Sequence, residues 1–439
     1  MYLNNHSYYS LRYGTLSVEA LVGLAKSFGI QALALTDINN TMGMVDFVRE
    51  CRRQGIKPIA GVEFRNEDQL LYVGIARSNK GFRELNELLT KHNLDDNPYP
   101  EEAPFMEDVF VIYPAGSRKF GQLKEHEFLG VRLSLVAKLL NSNLRFKQDK
   151  LVLMQPVTFR DEADRYIHQN LCAIAHNELL SRMEPAVFAA VDEFMLPPER
   201  LRAAFVLYPG LLKTTEWLVQ ECELDFDFST IKNKKTFTGN AADDRDLLHK
   251  LAYDGLHYRY GSDDERARRR VEEELAIIDK LGFSAYFLIT WDVIRYSMSR
   301  GFYHVGRGSG ANSVVAYCLR ITDVDPIELD LYFERFLNPK RSSPPDFDID
   351  YSWKERDEVI DYIFKRYGNR HTALLGTIST FRGKSIYREL GKVHGLPKAE
   401  IDELVSNPGK FYTLNKITRH IHELAQHIVD FPNQRSIHA

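Results

Sequence analysis

The first sixty residues alternate between two hydrophobic periods, and this alternation constrains the fold more than any other feature of the chain. Segments 17–30 and 44–55 ("SVEALVGLAKSFGI", "MVDFVRECRRQG") carry apolar residues at the period of an amphipathic helix. Segments 31–37 and 57–64 ("QALALTD", "KPIAGVEF") have the short apolar runs of buried strands. Alternating strands and helices form sheets covered by helices, so the sequence predicts an α/β first domain, a barrel of parallel strands with outer helices.

Strand patterns continue further along the chain, although they are less regular. They lie at 70–76, 151–157 and 186–194, with the sequences "LLYVGIA", "LVLMQPV" and "AVFAAVDEF". The stretch at 232–246 is polar and uneven, which is typical of a linker, and a long helix pattern follows at 263–282. The sequence thus predicts three regions, at 1–235, 236–369 and 370–439.

Composition narrows the class of protein further. The 439 residues are 44% hydrophobic and carry a net charge of −4, which allows several cores and predicts no general affinity for polyanions. No apolar run is long enough to cross a membrane, and the first residues lack the regions of a signal peptide, so we expect a cytoplasmic protein without membrane association. The four cysteines have no paired spacing, which argues against a zinc cluster and a disulfide framework.

Three aspartates near the end of the second region indicate chemistry. The segment "SSPPDFDIDY" places Asp346, Asp348 and Asp350 at alternate positions, separated by Phe347 and Ile349. This pattern predicts a strand with the carboxylates on one face and the apolar side chains on the other. At about 3.3 Å per residue, Asp346 and Asp348 can share two metal ions about 3.5–4 Å apart, whereas Asp350 lies about 13 Å from Asp346. The sequence predicts the first two as Mg²⁺ ligands and the third as a supporting residue.

Two other interpretations of these aspartates have a physical basis. A solvated edge strand can carry acids to prevent aggregation, and this alternative stays open. A calcium-binding loop requires glycine at its sixth position and glutamate at its twelfth, where this chain has Tyr351 and Asp357. The residues therefore favour magnesium over calcium.

A glycine-rich loop precedes the aspartates. Gly306, Gly308 and Gly310 lie in "HVGRGSGANSVVAYCLRI", before a helix pattern that begins near Asn312. Glycines let the backbone approach an anion closely and a helix start offers unpaired N–H groups, so the loop is predicted to hold phosphate. It lacks the Lys-Ser/Thr pair of a P-loop, and its short match to the dinucleotide fingerprint lacks the surrounding strands. A tight turn without a ligand is the remaining alternative.

Cations lie between the loop and the aspartates. Arg335, Lys340 and Arg341 lead into the acidic segment, and arginine suits phosphate oxygens, although simple charge balance is an alternative. Together, the glycine loop, the cations and the paired aspartates predict a nucleotidyl transfer centre. In such a centre one metal ion lowers the pKa of the attacking hydroxyl, and the other stabilises the leaving pyrophosphate.

The same residues carry a family resemblance. The stretch "GRGSGANSVVAYCLRITDVDPIELDLYFERFLNPKR", followed by "PDFDIDY", closely resembles the palm of the C family, the bacterial replicative DNA polymerase III alpha subunits. The segments "LGFSAYFLITWDVI" and "LLGTISTFRGKSIYRELGK" resemble the family's entry to the palm and its thumb. The resemblance implies a nucleotidyltransferase palm of the polymerase beta type. In it, Asp346 and Asp348 hold two Mg²⁺ ions, and Gly308 and Ser309 bind the incoming dNTP.

Three arginines complete the predicted nucleotide site. Arg307 lies inside the glycine loop, and Arg335 and Arg341 lie between the loop and the aspartates. We expect all three to bind phosphate oxygens of the incoming nucleotide.

For the whole chain, the resemblance implies a PHP-type (polymerase and histidinol phosphatase) β/α barrel at 1–235, the first part of a palm at 236–369 and a helical thumb at 370–439. Primer-template DNA and dNTP are then the expected substrates, and a proofreading exonuclease and a sliding clamp are the expected replicase partners. The ending "NQRSIHA" resembles the segment that leads back into the palm. The chain is therefore expected to lack a third carboxylate and the fingers, and to be inactive alone.

Charge indicates where DNA would bind. Residues 370–439 are the only basic segment, with ten lysines and arginines against six acids. Arg382, Lys384 and Arg388 are the predicted DNA contacts, and the last two lie on one face of a predicted helix.

The barrel keeps few of the ligands with which this barrel family can bind metal. His6, Asp37, Glu63 and Asp192 remain, whereas a histidine position of the pattern is occupied by Leu71. Because so few imidazole ligands remain, the barrel is predicted to be structural and free of nuclease activity.

Two alternatives to a polymerase subunit follow from these observations. The chain could be a non-catalytic scaffold or DNA-binding module derived from a polymerase. It could also be a metal-dependent phosphoesterase that acts through the barrel, which the missing histidines disfavour.

Overall fold

The computed structural model of the chain describes residues 2–139, 142–230, 232–337, 346–407 and 416–437. The chain divides into two compact units. The first unit comprises residues 1–227 and 376–439, and the second comprises residues 228–375. Within the described part of the chain, every helix is too short or too polar to span a bilayer.

Short strands and helices alternate through the first 221 residues. The strands are β1 (Asn4–Asn5), β2 (Ala32–Leu35), β3 (Lys57–Asn66), β4 (Gln69–Ala76), β5 (Val109–Pro114), β6 (Glu127–Val131), β7 (Leu151–Leu153) and β8 (Pro156–Val157). The helices are α1 (Val18–Ser27), α2 (Met44–Gln54), α3 (Asn79–Asp95), α4 (Val136–Leu139), α5 (Glu162–His176), α6 (Pro198–Ala204) and α7 (Pro209–Glu221). Ser17 caps α1 by accepting a hydrogen bond from the amide of Ala20, and Gly55 ends α2 in the left-handed conformation. All four elements predicted for the first sixty residues are confirmed.

The sheet of the first unit is mixed. Its order is β2-β3-β4-β5-β6-β7, and β1 pairs with β8 beside it, joined through a parallel bridge between Tyr2 and Leu33. The α/β fold is confirmed, but the prediction that all strands are parallel is wrong, because β4 is antiparallel to both β3 and β5. Only Glu67 and Asp68 connect β3 to β4, and so short a connection can join only antiparallel strands.

The segment 186–194 is not a strand, so this prediction is wrong. The amide of Ala189 donates to His168, and the carbonyl of Glu193 accepts from the amide of Thr158. The backbone of this segment is thus hydrogen-bonded without pairing to a strand. An apolar run in the sequence does not distinguish such a segment from a strand in a sheet.

Apolar side chains cover both faces of the sheet. On one face, Val62 and Phe64 of β3 belong to a core that includes Phe47 of α2. On the other face, Ile59 of β3 belongs to a core that includes Leu218 of α7. A sheet buried on both sides requires the nearly continuous hydrophobic strands that the sequence shows.

The second unit is mostly helical and contains a small sheet. Its elements are α8 (Ala241–Tyr260), α9 (Glu265–Leu281), α10 (Ser284–Ser299), β9 (His304–Arg307), α11 (Val314–Cys318), β10 (Asp348–Tyr351) and α12 (Arg356–Tyr367). β9 and β10 pair in antiparallel fashion. The helix predicted at 263–282 is confirmed as α9, which Asp264 caps at its start. The core of this unit includes Phe287, Val315 and Phe336.

The final region contains helices and one strand pair. Its elements are β11 (Gly376–Thr380), α13 (Lys384–Val393), α14 (Lys398–Ser406), α15 (Lys416–His427) and β12 (Pro432–Ile437). The pairing of β11 with β12 was not predicted, because neither segment has a regular apolar alternation. Leu390 of α13 and Ile421 of α15 share a core with Leu171 of α5. The region thus packs on the barrel within the first unit, and the predicted boundary at residue 370 stays a prediction.

Candidate active site

The aspartate segment lies beside the glycine loop in the second unit. β10 pairs with β9 so that Asp348 is opposite Arg307 and Asp350 is opposite Val305. Asp346, Asp348 and Asp350 are exposed, whereas Phe347 and Ile349 pack against the core. The predicted alternation is therefore confirmed, with the difference that β10 begins at Asp348 and Asp346 lies just before it.

Arg307 supplies positive charge to this face. Its Nε lies 2.5 Å from Oδ2 of Asp350, and its Nη1 lies 3.9 Å from Oδ2 of Asp348. This pairing with Asp350 raises the pKa of Arg307 above its usual value. Asp348 thus has only a distant contact with the guanidinium and keeps its carboxylate exposed, whereas Asp350 is closely paired.

Two glycines of the loop are required by its closeness to the aspartates. Gly308 has a φ of +77°, and a Cβ there would lie 2.7 Å from Oδ2 of Asp348. A Cβ on Gly310 would lie 2.6 Å from the ring of Phe347. The loop forms a 3₁₀ turn over Gly308–Asn312. A side chain at either position would force the carboxylate of Asp348 or the ring of Phe347 to shift.

The helix after the loop does not offer unpaired amides, which corrects the sequence prediction. The carboxylate of Glu274 accepts hydrogen bonds from the amides of Val314 and Val315 at the start of α11, both at 3.1 Å, and from the hydroxyl of Ser313. Glu274 is fully buried, and its pKa lies above its usual value because burial outweighs the lowering effect of these hydrogen bonds and of the one from Arg270. A carboxylate from the same chain thus already occupies the helix start, and any phosphate contact is left to the loop itself.

The remaining predicted nucleotide contacts lie at the edge of this site. Ser309 is half-buried in the loop, and Arg335 is exposed at the end of a 3₁₀ turn. The next residue, Phe336, has its ring centroid 5.0 Å from that of Phe347, so this turn adjoins the aspartate segment. Arg341 lies outside the described residues.

Tyr286 was missed by the sequence interpretation. Its hydroxyl accepts a hydrogen bond of 2.8 Å from the amide of Phe347, and its ring stacks on that of Phe347 at 5.2 Å. It therefore fixes the residue between Asp346 and Asp348. Tyr286 follows the apolar period of α10, so its sequence position looks like an ordinary core residue.

A buried carboxylate lies between α10 and α12, the helix that follows β10. Asp292 of α10 is fully buried and accepts hydrogen bonds from Tyr362, Arg366 and Tyr367, at 2.8–3.1 Å. Burial by itself raises the pKa of Asp292, but these hydrogen bonds outweigh it and lower the pKa below its usual value. All three donors lie on α12, so Asp292 fastens that helix to α10. The only sequence signal was an acid in an otherwise apolar helix.

The first unit contains a second group of acids, at the predicted barrel metal positions. Glu63 is buried and accepts hydrogen bonds from Arg65, His6 and Asn4. Burial alone raises the pKa of Glu63, but the positive charge of Arg65 and the hydrogen bonds from His6 and Asn4 outweigh it, so that the pKa lies well below its usual value. The guanidinium of Arg65 thus supplies the positive charge that a metal ion would otherwise provide.

The neighbouring acids are satisfied in a similar way. Arg132 lies 3.0 Å from Asp192 and 3.1 Å from Glu193. Asp37 accepts hydrogen bonds from Ser7 and Ser10, and its burial raises its pKa to about 6. Among the described residues, no group of three or more His, Cys, Asp and Glu side chains converges as metal ligands.

The predicted DNA contacts lie on the surface of the first unit. Lys384 and Arg388 are exposed one turn apart on α13, as predicted. Arg382 precedes the helix, and its Nε lies 2.6 Å from the carboxylate of Asp430.

Comparison with known proteins identifies the family. The sequence model described as "Bacterial DNA polymerase III alpha NTPase domain" matches residues 246–439, and the "PHP domain" model matches residues 3–121. The chain belongs to the DNA polymerase III alpha family. Its first unit accordingly contains a PHP-type barrel, and the resemblance of the loop and aspartate motifs is confirmed.

Several bacterial DNA polymerases match nearly the whole chain. The error-prone DNA polymerase of Symbiobacterium thermophilum is 32% identical over 92% of this chain and 42% of its own length. The DNA polymerase III subunit alpha of Halalkalibacterium halodurans is 32% identical over 100% of this chain and 44% of its own length, and that of Bacillus subtilis is 30% identical over 100% and 44%. The chain therefore spans less than half the length of these relatives.

Proposed function

We propose that this chain provides the metal-binding and nucleotide-binding part of a DNA-directed DNA polymerase. The reaction is template-directed transfer of a nucleotide from dNTP to a DNA primer end by a two-metal mechanism. The observation that carries the proposal is the close approach of Gly308 to Asp348, since a Cβ on the glycine would lie 2.7 Å from the carboxylate. This contact brings a loop suited to phosphate next to carboxylates suited to metal.

The residues that would hold the metal are Asp346 and Asp348. Both carboxylates are exposed, and oxygen ligands suit Mg²⁺. Two bound Mg²⁺ ions would lower the pKa of the primer hydroxyl and neutralise the negative charge of the leaving pyrophosphate. Asp350 is not assigned as a ligand, because Arg307 already pairs with it at 2.5 Å.

The nucleotide would lie over the loop. Gly308 and Ser309 would orient the triphosphate through their backbone and hydroxyl groups, and Arg335 and Arg341 would neutralise its charge. Arg307 would stay paired with Asp350 and close to Asp348. It would contact a phosphate only if the phosphate came next to these two aspartates. This role agrees with its two ion pairs.

Primer-template DNA would contact the basic surface of the final region through Arg382, Lys384 and Arg388. Lys384 and Arg388 are available on α13, whereas Arg382 would first have to leave Asp430. A proofreading exonuclease and a sliding clamp are the partners that family membership suggests.

A third metal ligand would come from another polypeptide segment. Among the described residues, Asp346 and Asp348 are not joined by a third ligand in one cluster. We therefore propose that the 439-residue chain alone binds metal and nucleotide but does not extend a primer.

The test is primer extension by the chain joined to a carboxyl-terminal polymerase segment that supplies the third ligand, with Asp346→Asn, Asp348→Asn and, as a matched control, Asp357→Asn. Asp357 is an exposed aspartate on α12 whose partner is Arg356. Both site variants should lose incorporation by at least about a thousandfold while they retain primer binding, and the control should match the native protein. Near-native rates in both site variants would refute the proposal.

The barrel is proposed to be structural. This proposal rests on Arg65 and Arg132, whose guanidinium groups already pair with Glu63, Asp192 and Glu193. A phosphoesterase centre would need these carboxylates for metal. Binding of Zn²⁺ or Mn²⁺ to the chain should be unaffected by Glu63→Gln, and a stoichiometric site lost in that variant would revive the phosphoesterase alternative.

A further inference from the structure

A large cavity lies within the second unit, outside the site described above. It has a volume of about 920 Å³ and is open to solvent. Its described walls come from residues 229–230 and 232–235, from the end of α9 and the start of α10, and from residues 369–373 after α12. These three segments are far apart in sequence, so the cavity is a product of the fold.

The rim of this cavity is basic. Lys232, Lys234, Lys235 and Arg370 line it, and none of the described residues in its wall is an aspartate or a glutamate. Lys235 and Arg370 make no ion pair with any residue that the structure describes. The two unpaired cations, Lys235 and Arg370, lie in a lining whose described residues include no carboxylate, which indicates an anionic ligand.

The floor of the cavity is apolar and aromatic. Phe283, Tyr286 and Ile289 contribute to it. Thr372 also lines the cavity, and its hydroxyl oxygen is buried with no hydrogen-bond partner among the described residues. A basic rim over an aromatic floor is the arrangement that binds single-stranded nucleic acid, because phosphates meet the cations and bases stack on the rings.

Tyr286 connects this cavity to the aspartates. It forms part of the cavity wall, and its hydroxyl and ring hold Phe347, the residue between Asp346 and Asp348. A ligand in the cavity would therefore lie one side chain away from the aspartate segment.

We propose that this cavity binds the phosphodiester backbone of a nucleic acid strand and guides it to the aspartate segment. The proposal deepens the function proposed above and rests on it for the meaning of the aspartates. A strand is favoured over a free nucleotide because the cations come from two separate wall segments, 232–235 and 369–373, across an aromatic floor. A single triphosphate would need its cations at one point.

The test compares two double variants with the same loss of charge. The first is Lys235→Gln with Arg370→Gln, at the rim. The control is Lys250→Gln with Arg269→Gln, two exposed cations elsewhere in the same unit that likewise make no ion pair with described residues. The assay is fluorescence anisotropy of a labelled oligodeoxythymidylate titrated with the full chain at several salt concentrations without divalent metal.

The rim variant should reduce the slope of log affinity against log salt by about 1.4, since each lost single-strand contact removes about 0.7. By the same relation, its affinity at 0.1 M salt should fall about 25-fold. The control variant should keep the native slope. Equal slopes in the native chain and the rim variant would overturn the proposal, and so would equal losses in the two variants.

A second titration, with dTTP, separates the nucleic acid from the nucleotide. A rim variant that loses dTTP affinity but keeps oligonucleotide affinity would overturn the proposal. The Asp348→Asn variant, titrated with Mn²⁺, tests the polymerase site separately from the cavity. Failure of that variant to affect metal binding would count against the polymerase site alone, so the two proposals fail in different experiments.

Discussion

Replacing Gly308 with alanine tests the contact on which the active-site assignment depends. The new Cβ would lie 2.7 Å from Oδ2 of Asp348, whereas ordinary contacts begin at 3.4 Å, so the carboxylate or the loop must move by about 0.7 Å. Distances from a metal ion to its ligands lie within about 0.2 Å of their usual values. We expect Gly308→Ala to weaken Mn²⁺ binding at least about tenfold.

The chain offers a close control for this change. Gly301 has a φ of +74°, almost the same as the +77° of Gly308, but a Cβ there would meet nothing within 4 Å. Both alanine variants should lose about 1 kcal/mol of unfolding free energy, because alanine disfavours this left-handed conformation.

Urea denaturation measures the shared backbone cost, and electron paramagnetic resonance of free Mn²⁺ measures metal affinity. Only Gly308→Ala should lose metal affinity. Equal Mn²⁺ affinity in the two variants would show that Asp348 is not a metal ligand, or that its exact placement does not matter.

Three further predictions concern stability and DNA. Asp292→Ala should lower the unfolding free energy by about 2–3 kcal/mol, measured in urea, because it leaves three donors on α12 unpaired. The control is Asp361→Ala, which removes an exposed carboxylate and should lower the unfolding free energy by less than about 1 kcal/mol. Burial lowers the pKa of His168 from 6.5 to about 4, so the unfolding free energy of the first unit should fall by up to about 3 kcal/mol as the pH falls from 6.5 to 4. The His168→Gln variant should not show this fall, and an unchanged pH profile in that variant would contradict the burial argument. The double variant Lys384→Gln, Arg388→Gln should reduce the slope of log affinity for duplex DNA against log salt by about 1.8. An unchanged slope would show that the DNA binds elsewhere.

The sequence predicts the aspartate face because the pattern is local. Alternation of acids and apolar residues determines which side chains share a face, whatever the strand pairs with. The register that brings Arg307 opposite Asp348 could not be predicted, since the pairing residues are about forty positions apart. The closeness of Gly308 to Asp348 depends on that same register.

Contacts distant in sequence also explain the main errors. The amides of α11 looked available for phosphate because Glu274, which binds them, lies about forty residues earlier, in a helix whose charges resemble a solvated face. In the barrel, the sequence shows that histidines are missing, but it does not show that Arg65 and Arg132 supply the replacing charge. Only the fold brings these side chains to the acids.

The most direct test of the central claim is Mn²⁺ binding to the chain, compared among Asp346→Asn, Asp348→Asn and Asp350→Asn. Electron paramagnetic resonance of the free ion gives the bound fraction at each concentration. The first two variants should lose the bound Mn²⁺, and Asp350→Asn should retain it, because Asp350 is paired with Arg307. Loss of binding only in Asp350→Asn, or retention in all three variants, would contradict the assignment of Asp346 and Asp348 as the metal ligands.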